Sequence, residues 1–279
     1  MSINVIEKCL FPVAGYGTRF LPATKALPKE ILPIVNKPLI QYGVEEALSA
    51  GMHEIAFVTG RNKRAIEDYF DVSYELEHKI NGTKKEKKLV DIRRLISECT
   101  FSFTRQSHMK GLGHAILTGE TLIGDVPFGV VLADDLCLNN GNSVLAQMVE
   151  VFNIYQCSVV GIIEVDIKET SKYGIIDGKQ IKDDKIEISN MMEKPDPEDA
   201  PSNLAIIGRY ILTPDIFEIL KNTPPGAHRE IQLTDALLTQ ARRSKVIGYK
   251  IKGKRFDCAS IDGYMDAMNY VYLKNHKGH

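Results

Sequence analysis

Strand-like and helix-like segments alternate through the first half of this 279-residue chain. The apolar run Cys9–Val13 is followed by a helical pattern over Leu39–Ala50, a second strand-like run at Glu54–Thr59 and a helical segment at Lys63–Phe70. Parallel strands need a crossover connection, which is usually a helix. The alternation therefore predicts an α/β fold built on a parallel sheet.

The pattern becomes richer in strands after residue 157. The segments that follow are predicted strands at Ser158–Val165, Lys185–Met192, Asn203–Leu212 and Val246–Lys252, and predicted helices at Pro214–Lys221, Ile231–Arg242 and Ile261–Lys274. A chain of 279 residues is within the range of one large α/β domain or two small ones. We therefore expect a single domain over residues 1–279, with a first half at 1–157, a strand-rich second half at 158–258 and a C-terminal helix within 259–279.

The first strand leads into a loop that combines glycine with positive charge. The sequence AGYGTRFLPAT places Gly15 and Gly17 one residue apart, and Arg19 and Lys29 follow. Glycine lets backbone amides approach an anion closely, and arginine and lysine supply full charges, so this segment predicts a phosphate-binding loop. The alternative is an ordinary strand-to-loop turn beside a solvated basic edge. A dinucleotide site is disfavoured, because Phe20 occupies the place of its third glycine.

Two aspartates, Asp134 and Asp135, directly follow the most apolar strand-like run, Phe128–Ala133. Ligands of open α/β sheets bind beyond the carboxyl ends of such strands, so these carboxylates are well placed to hold a metal ion. Asp257 is a further candidate. The structural alternative for Asp134 or Asp135 is that it caps the next helix. The structural alternative for Asp257 is that Arg255 neutralises it.

Glu193 and Lys194 add a carboxylate and an ammonium group after another strand-like run. A surface ion pair between them is the structural alternative. Together, the basic loop, the separated aspartates and this lysine meet the needs of phosphoryl or nucleotidyl transfer, in which catalysis is mainly positioning and neutralisation of phosphate charge. Magnesium prefers one or two carboxylates, with phosphate oxygens and waters as its other ligands, so two separated aspartates suffice.

The composition excludes several other classes of protein. Thirty-five basic and thirty-six acidic residues leave a net charge of -1, which predicts no nucleic-acid partner. Apolar runs stay short of the roughly eighteen residues that span a bilayer, so no membrane association is expected. The five cysteines are widely separated and lack a CxxC pair, which argues against a disulfide framework and predicts a cytoplasmic protein.

Several motifs closely resemble the sugar nucleotidyltransferase family. They are AGYGTRFLPATKALPKEILPIVNKPLIQY, Gln106 with GLGHA, LADD, Tyr173-Gly174-Ile175-Ile176, MEKP, NLAIIGRYIL, EIQLTDAL and FDCAS. The resemblance runs in order from about Lys8 to Tyr272. It implies a Rossmann-like nucleotidyltransferase fold, in which a mostly parallel twisted sheet has helices on both faces. It also implies a nucleotide-binding first half and a strand-rich sugar-binding subdomain in the second half.

The resemblance further implies that UTP and glucose 1-phosphate are joined with Mg²⁺ assistance to give UDP-glucose and pyrophosphate, and that the protein is a homo-oligomer, either a dimer or a tetramer. The implied uracil-binding residues are Ala14, Gly15, Gln106 and Gly111. The implied phosphate-binding and catalytic residues are Arg19, Lys29 and Lys194, with Gly17 in the same loop. The implied metal ligands are Asp134 and Asp257, and the implied sugar-binding residues are Gly174, Glu193 and Asp135.

Other functions remain open at this point. A thymidylyltransferase or another sugar 1-phosphate specificity differs little, since one methyl group on the pyrimidine discriminates by only ~1–3 kcal/mol. A catalytically silent nucleotide-sugar sensor would keep the fold without the chemistry, and a carbohydrate-binding module would leave the basic loop unexplained. One departure from the family concerns Ala259, which stands where glycine is usual and can narrow the backbone approach near Asp257.

Overall fold

The computed structural model describes residues 6–226 and 229–276. Its strands are β1 Lys8–Pro12, β2 Pro33–Ile34, β3 Lys37–Pro38, β4 Glu54–Thr59, β5 Thr100–Arg105, β6 Phe128–Val131, β7 Asp135–Leu138, β8 Ser158–Glu164, β9 Gly174–Lys182, β10 Lys185–Glu193, β11 Leu204–Leu212, β12 Val246–Lys250 and β13 Lys254–Asp257. Within the described ranges, nine of these strands form one sheet, and β2 with β3 and β7 with β13 form separate pairs.

Helices connect most of these strands. They are α1 Leu39–Ser49, α2 Arg64–Tyr69, α3 Tyr74–Ile80, α4 Val90–Glu98, α5 Gly111–Thr118, α6 Glu120–Ile123, α7 Val144–Tyr155, α8 Asp215–Asn222, α9 Leu233–Arg243 and α10 Ile261–His276. Short 3₁₀ helices are also present, including Thr18–Phe20 and Lys29–Ile31 between β1 and β2. Among the helices described, none has the length and apolar character needed to cross a bilayer.

The first four strands of the central sheet are parallel, as predicted. β1 pairs with β4 and β6, and β4 pairs with β5, all in parallel register. Helices α1 to α6 lie between these strands in the chain and provide the crossovers. The other part of the sheet is mixed: β11 runs antiparallel to both β6 and β8, whereas β12 runs parallel to β8. The predicted parallel character therefore applies to the half that carries the basic loop.

Helices cover both faces of the sheet, because successive side chains of a strand point in opposite directions. In β1, buried Phe11 packs in one hydrophobic cluster with Val44 of α1 and Met148 of α7. Its neighbour Leu10 packs in a second cluster with Ile116 of α5 and with residues of α8 and α9. The α/β arrangement with helices on both faces is thus confirmed.

One helical segment is divided in two. It forms α5 and α6, which meet at Gly119. A Cβ atom on Gly119 would lie 2.5 Å from a methyl carbon of Leu10, so the helix approaches β1 more closely there than any larger residue allows.

The sequence patterns did not predict β9 as a strand. Its outer part is polar and exposed, and its pairing with β10 shifts register between Ile188 and Asn190. Ile175 and Ile176 also pair with β11, and the rest of β9 lies at the edge of the sheet. This edge position and the irregularity remove the alternation that marks a half-buried strand. By contrast, α4 has a regular helical pattern: its Leu95 is buried and its Ile92 packs on the first cluster.

The C-terminal part of the chain adds a third hydrophobic cluster. β7 and β13 pair in antiparallel register with Asp257 opposite Asp135, and Ala267 and Val271 of α10 pack beside Phe256. Both predicted halves contribute strands to the same central sheet. The division at residue 157 remains a prediction, and residues 1–5, 227–228 and 277–279 of the predicted domain lie outside the described ranges.

Candidate active site

Three predicted site residues lie just beyond the carboxyl ends of parallel strands. Ala14 follows β1, Gln106 follows β5 and Asp134 follows β6. Carboxyl ends of neighbouring parallel strands meet at one edge of a sheet, which is where open α/β sheets bind their ligands. A cavity of about 990 Å³ opens beside this edge.

Most of the charged residues predicted from the sequence line this cavity, which we call the cleft. The predicted residues among its lining are Arg19, Asp134, Asp135, Gly174, Glu193, Lys194 and Asp257. Lys29 reaches the cleft through a hydrogen bond to Asp134, and Gly111 lies against Glu230, which is also a lining residue. The basic loop and the separated acids therefore meet, although more than 200 residues of sequence separate Arg19 from Asp257.

Lys29 and Asp134 form a largely buried ion pair, with exposed side-chain fractions of 22% and 19%. Burial by itself lowers the pKa of Lys29, but the charges of Asp134 and Glu30 raise this pKa above its ordinary value. Burial by itself raises the pKa of Asp134, and Lys29 outweighs it, so the pKa of this carboxyl is held below its ordinary value. Both groups are consequently charged near neutral pH.

A second buried pair, which was not predicted, lies directly behind the first. Nζ of Lys63 donates to Oε2 of Glu30 at 2.7 Å, and the two side chains are 5% and 1% exposed. Burial raises the pKa of Glu30 and lowers the pKa of Lys63. Because Glu30 adjoins Lys29 in the same 3₁₀ helix, this pair anchors the segment that carries Lys29.

Gly17 has the conformation that the basic loop requires. Its φ of 69° lies in the left-handed region, and a Cβ atom there would meet the Cβ of Lys29 at 3.1 Å. Oγ1 of Thr24 donates to the carbonyl oxygen of Gly17 at 2.8 Å, which fixes the turn. At Gly15, no atom of the described residues lies within 4 Å of such a Cβ position, so space remains open on that side of the loop.

Gln106 is buried to 4% exposure beside Gly111. Its Nε2 donates to the carbonyl oxygen of Gly111 at 3.2 Å. Gly111 has a φ of 88°, and a Cβ atom on it would lie 2.7 Å from Cβ of Glu230. The backbone on this side of the cleft therefore needs glycine for both its conformation and its close packing.

Gly174 and Glu193 face each other at the other end of the cleft. They are register partners in β9 and β10, and a Cβ atom on Gly174 would lie 3.3 Å from Oε2 of Glu193. Thr234, which was not predicted, donates from Oγ1 to the same oxygen at 3.0 Å. The threonine orients the Glu193 carboxylate through Oε2, and the other oxygen, Oε1, lies 3.3 Å from Nζ of Lys194.

Lys194 lies where β10 ends, with a φ of 47° that is unusual for a residue with a side chain. Its backbone N–H donates to the carbonyl oxygen of Tyr173 at 3.0 Å, which holds this conformation. Its Nζ is 3.3 Å from Oε1 of Glu193, and its side chain is 57% exposed. The surface ion pair considered as an alternative is present, yet the exposed ammonium group also lines the cleft.

Asp135 already has protein partners for both carboxylate oxygens. Oδ2 accepts from the backbone N–H of Gly208 at 2.6 Å, and Oδ1 accepts from Nε of Arg255 at 2.5 Å. Arg255 in turn donates to the hydroxyl of Tyr173 at 3.0 Å. The geometry makes Asp135 a positioning residue that joins both walls of the cleft, and its contact with a sugar hydroxyl stays a prediction. No pattern in the sequence indicated the bridging role of Arg255.

The aspartates suit a magnesium ion that also binds phosphate. Asp134 directly precedes β7, and Asp257 ends the strand that pairs with β7, which brings both into the cleft. Arg255 lies 3.9 Å from Asp257, a loose contact that leaves this carboxylate 33% exposed. Within the described ranges no three acidic, histidine or cysteine side chains group as a metal cage. Mg²⁺ is commonly bound by one or two carboxylates, and phosphate oxygens and waters complete its coordination shell. Asp134 and Asp257 can supply these two carboxylates in the cleft.

The backbone N–H of Ala259 donates to Oδ1 of Asp257 at 3.1 Å. A main-chain donor of this kind does not depend on the side chain, so alanine preserves the contact that orients the carboxylate. The predicted narrowing of the approach by the methyl group of Ala259 stays a prediction.

Comparisons with known proteins agree with this geometry. A model of the nucleotidyl transferase family matches residues 12–272. The chain is 66% identical over 274 residues to a UTP–glucose-1-phosphate uridylyltransferase of Pseudomonas aeruginosa, with 98% of each chain covered. It matches a crystal structure of an apo UDP-glucose pyrophosphorylase with a TM-score of 0.94 and 62% identity, covering 97% of this chain and 99% of that one. A UDP-glucose pyrophosphorylase complexed with UDP-glucose gives a TM-score of 0.91 and 60% identity, covering 96% and 99%.

Proposed function

The chain belongs to the nucleotidyl transferase family, and we propose that its cleft transfers the uridylyl group of UTP to glucose 1-phosphate. A phosphate oxygen of glucose 1-phosphate attacks the α-phosphorus of UTP in line, and the bond from this phosphorus to the bridging β-oxygen breaks. UDP-glucose and pyrophosphate are the products. The observation that carries the proposal is the convergence of Arg19, Lys194 and two aspartates on one cleft. Relatives that bear the corresponding names, one of them complexed with UDP-glucose, support it.

We assign the nucleotide to the edge formed by the parallel strands. Backbone groups of Ala14, Gly15 and Gly111 would contact the uracil, and the amide of Gln106 would contact its polar edge. The space beside Gly15 and the position of Gln106 beyond β5 support this assignment. Backbone contacts need a close approach to the base, which glycine permits.

We assign the triphosphate to the basic loop. Arg19 and Lys29 would neutralise its negative charge, and the turn at Gly17 would present backbone N–H groups to it. The raised pKa of Lys29 keeps its ammonium group charged for this role. Lys194 would neutralise the charge that develops as the two phosphates approach, because such charge is greatest in the transition state.

We assign the glucose to the opposite end of the cleft. Glu193 would accept hydrogen bonds from sugar hydroxyls, and the backbone of Gly174 would contact a neighbouring hydroxyl. Thr234 and the register pairing of β9 with β10 hold these groups in place. A carboxylate held by Thr234 on one oxygen and by Lys194 on the other is a rigid acceptor, which favours one orientation of the sugar.

The protein would hold Mg²⁺ through Asp134 and Asp257, and their carboxylate chemistry fits this ion. When bound, Mg²⁺ supplies positive charge that stabilises the phosphate oxygens. Lys29 keeps Asp134 ionised, as an oxygen ligand must be. Nη2 of Arg255 lies 3.9 Å from Oδ2 of Asp257, too far for a close hydrogen bond. The Asp257 side chain is 33% exposed, so its carboxylate stays accessible beside this positive charge.

A substrate panel tests the proposed function. The protein is incubated with each nucleoside triphosphate and each sugar 1-phosphate in the presence of Mg²⁺, and released pyrophosphate is measured. We expect the highest kcat/KM for UTP with glucose 1-phosphate. Higher activity with dTTP would favour a thymidylyltransferase, and UDP-glucose binding without pyrophosphate release would favour a sensor. Absence of product above a metal-free blank with every pair would contradict the proposal.

We also propose a cytoplasmic location and a homo-oligomeric state. All five cysteine side chains are buried free thiols, as a reducing compartment maintains them. Along α10, Ile261, Met265 and Tyr272 recur at helical spacing and are each about half exposed, at 59%, 49% and 52%. An apolar stripe of this kind suits contact with a second copy. A monomeric mass by light scattering would contradict the oligomeric proposal.

A further inference from the structure

Gln106 uses both hydrogens of its side-chain amide within the protein. Nε2 lies 3.2 Å from the carbonyl oxygen of Gly111 and 2.9 Å from Nδ1 of His114. His114 lies on the first turn of α5, eight residues after Gln106. An amide nitrogen has two N–H donors, so these two contacts account for both of them.

The partners fix which way the amide points. A backbone carbonyl only accepts hydrogen bonds, so the atom of Gln106 that faces Gly111 must be the nitrogen. The same nitrogen then donates to His114, which makes Nδ1 the acceptor and places the imidazole proton on Nε2. The orientation of Gln106 and the tautomer of His114 are thus determined together.

The remaining polar atom of Gln106 is its carbonyl oxygen, Oε1. Among the described residues no donor bonds to Oε1. Oε1 is also not one of the polar atoms sealed from solvent without a partner. The residue as a whole is 4% exposed, so its accessible acceptor faces a defined direction rather than open solution. The site therefore presents one fixed acceptor and no amide donor.

We propose that His114 is a positioning residue that sets base specificity through Gln106, and this inference rests on the proposed function. Because His114 accepts the N–H of Nε2 that Gly111 does not, only Oε1 is left to meet the base. Uracil offers an N3–H donor to such an acceptor. Cytosine has a lone pair at N3, so Oε1 would face a second acceptor and no hydrogen bond would form between them. The arrangement selects pyrimidines that carry a proton at N3.

The surroundings of His114 maintain this arrangement near neutral pH. Burial lowers the pKa of His114, and the neighbouring charges of Lys110 and His108 act in the same direction. A neutral imidazole keeps the lone pair at Nδ1 that Gln106 needs. Thr118 donates to the backbone oxygen of His114, so it supports the helix without touching the imidazole.

Two substitutions at His114 separate positioning from packing. His114→Leu removes the acceptor and fills its place with an apolar side chain. His114→Asn keeps an acceptor, Oδ1, near the place of Nδ1. We expect His114→Leu to narrow the preference for UTP over CTP in kcat/KM by about tenfold, in the range of one lost hydrogen bond. His114→Asn should restore most of this preference. Thr118→Val, on the same helix, should leave the preference unchanged.

The ratio of the dissociation constants of UDP and CDP, measured by calorimetry, gives a second readout that needs no turnover. If His114→Leu lowers thermal stability but leaves both ratios as in the unmodified protein, His114 has only a structural role and the inference is overturned. Failure of the unmodified protein to release pyrophosphate from UTP would instead contradict the proposed function. The binding ratio would still decide the role of His114 in that case.

Discussion

The ammonium group of Lys29 donates a hydrogen bond to Oδ2 of Asp134, a residue 105 positions further along the chain. This contact joins the basic loop after β1 to the acidic end of β6. Both groups are ionised before any substrate enters, because Asp134 raises the pKa of Lys29 and Lys29 lowers the pKa of Asp134. Arriving phosphates and a divalent cation thus meet groups that are already ionised and held in place.

Magnesium dependence is the first prediction. Removal of divalent cations with EDTA should abolish pyrophosphate release. Asp257→Asn should raise the Mg²⁺ concentration for half-maximal rate by about 10-fold or more, since even indirect changes at metal sites cost this much. Asp262→Asn is the matched control, because Asp262 lines the same cleft outside the proposed ligand set. Equal Mg²⁺ requirements in the two variants would remove Asp257 from the metal site.

Replacing Lys194 should reduce turnover. Lys194→Ala removes the exposed ammonium group at the end of β10, and we expect kcat to fall by about 10²-fold or more, as for other preorganised charge donors. Lys221→Ala serves as the control, because Lys221 forms an exposed pair with Glu120 on the surface. Near-normal turnover of Lys194→Ala in the pyrophosphate assay would exclude this lysine from the mechanism.

Gly111→Ala should raise the KM for UTP. The added methyl group meets Glu230 at 2.7 Å and the carbonyl oxygen of Ile231 at 3.0 Å, so the backbone beside the base must shift. Gly51→Ala provides the comparison, because Gly51 has a similar φ of 90° with no described atom within 4 Å. Both variants should lose about 1–2 kcal/mol from the left-handed conformation. Only Gly111→Ala should affect the KM, and an equal KM in both would contradict the assignment of Gly111.

Arg209→Met should destabilise the fold strongly. Arg209 is 1% exposed and donates from Nε and Nη2 to Oε2 of Glu46 at 3.0 and 2.8 Å. Its removal leaves the Glu46 carboxylate buried without its cation, which costs about 3–5 kcal/mol. Arg64→Met should change the free energy of unfolding by less than about 1 kcal/mol, since Arg64 is 87% exposed in its pair with Asp68. Urea denaturation measures both, and similar losses would contradict the burial argument.

The affinity for UTP should weaken in acid through His114. The pKa of His114 is lowered below its ordinary value of 6.5, so its contribution to binding and stability is complete above pH 6.5 and is lost as the pH falls through the lowered pKa. Protonated Nδ1 cannot accept from Gln106, so one N–H of the amide loses its partner while Gly111 keeps the other. His114→Asn, which does not titrate, should show a flatter KM profile. Parallel profiles for the two proteins would exclude this effect.

The sequence predicted the residues that stand at strand ends. Asp134 could be placed because a buried parallel strand is continuously apolar and its end lies at the ligand-binding edge. The basic loop could be recognised from glycine spacing and charge together. Both inferences depend on local pattern and on a general rule of α/β topology, which is why they needed no knowledge of distant contacts.

The contacts that orient these residues could not be predicted in the same way. Arg255 was considered only as a neutralising partner for Asp257, whereas it bonds to Asp135 and Tyr173. Thr234 and Glu193 come together only after β10 and α9 have packed. Such pairs depend on how elements pack in three dimensions, and single residues of common types leave no periodic signal for them.

Strand β11 lies between β6 and β8 and is antiparallel to both. During synthesis, β6 therefore leaves the ribosome more than seventy residues before the partner that covers its free edge. Until residues 204–212 emerge, the nascent chain carries an apolar strand with unpaired backbone groups, a surface prone to association with other chains. Early truncation should consequently yield aggregates rather than a shortened, stable nucleotide-binding protein.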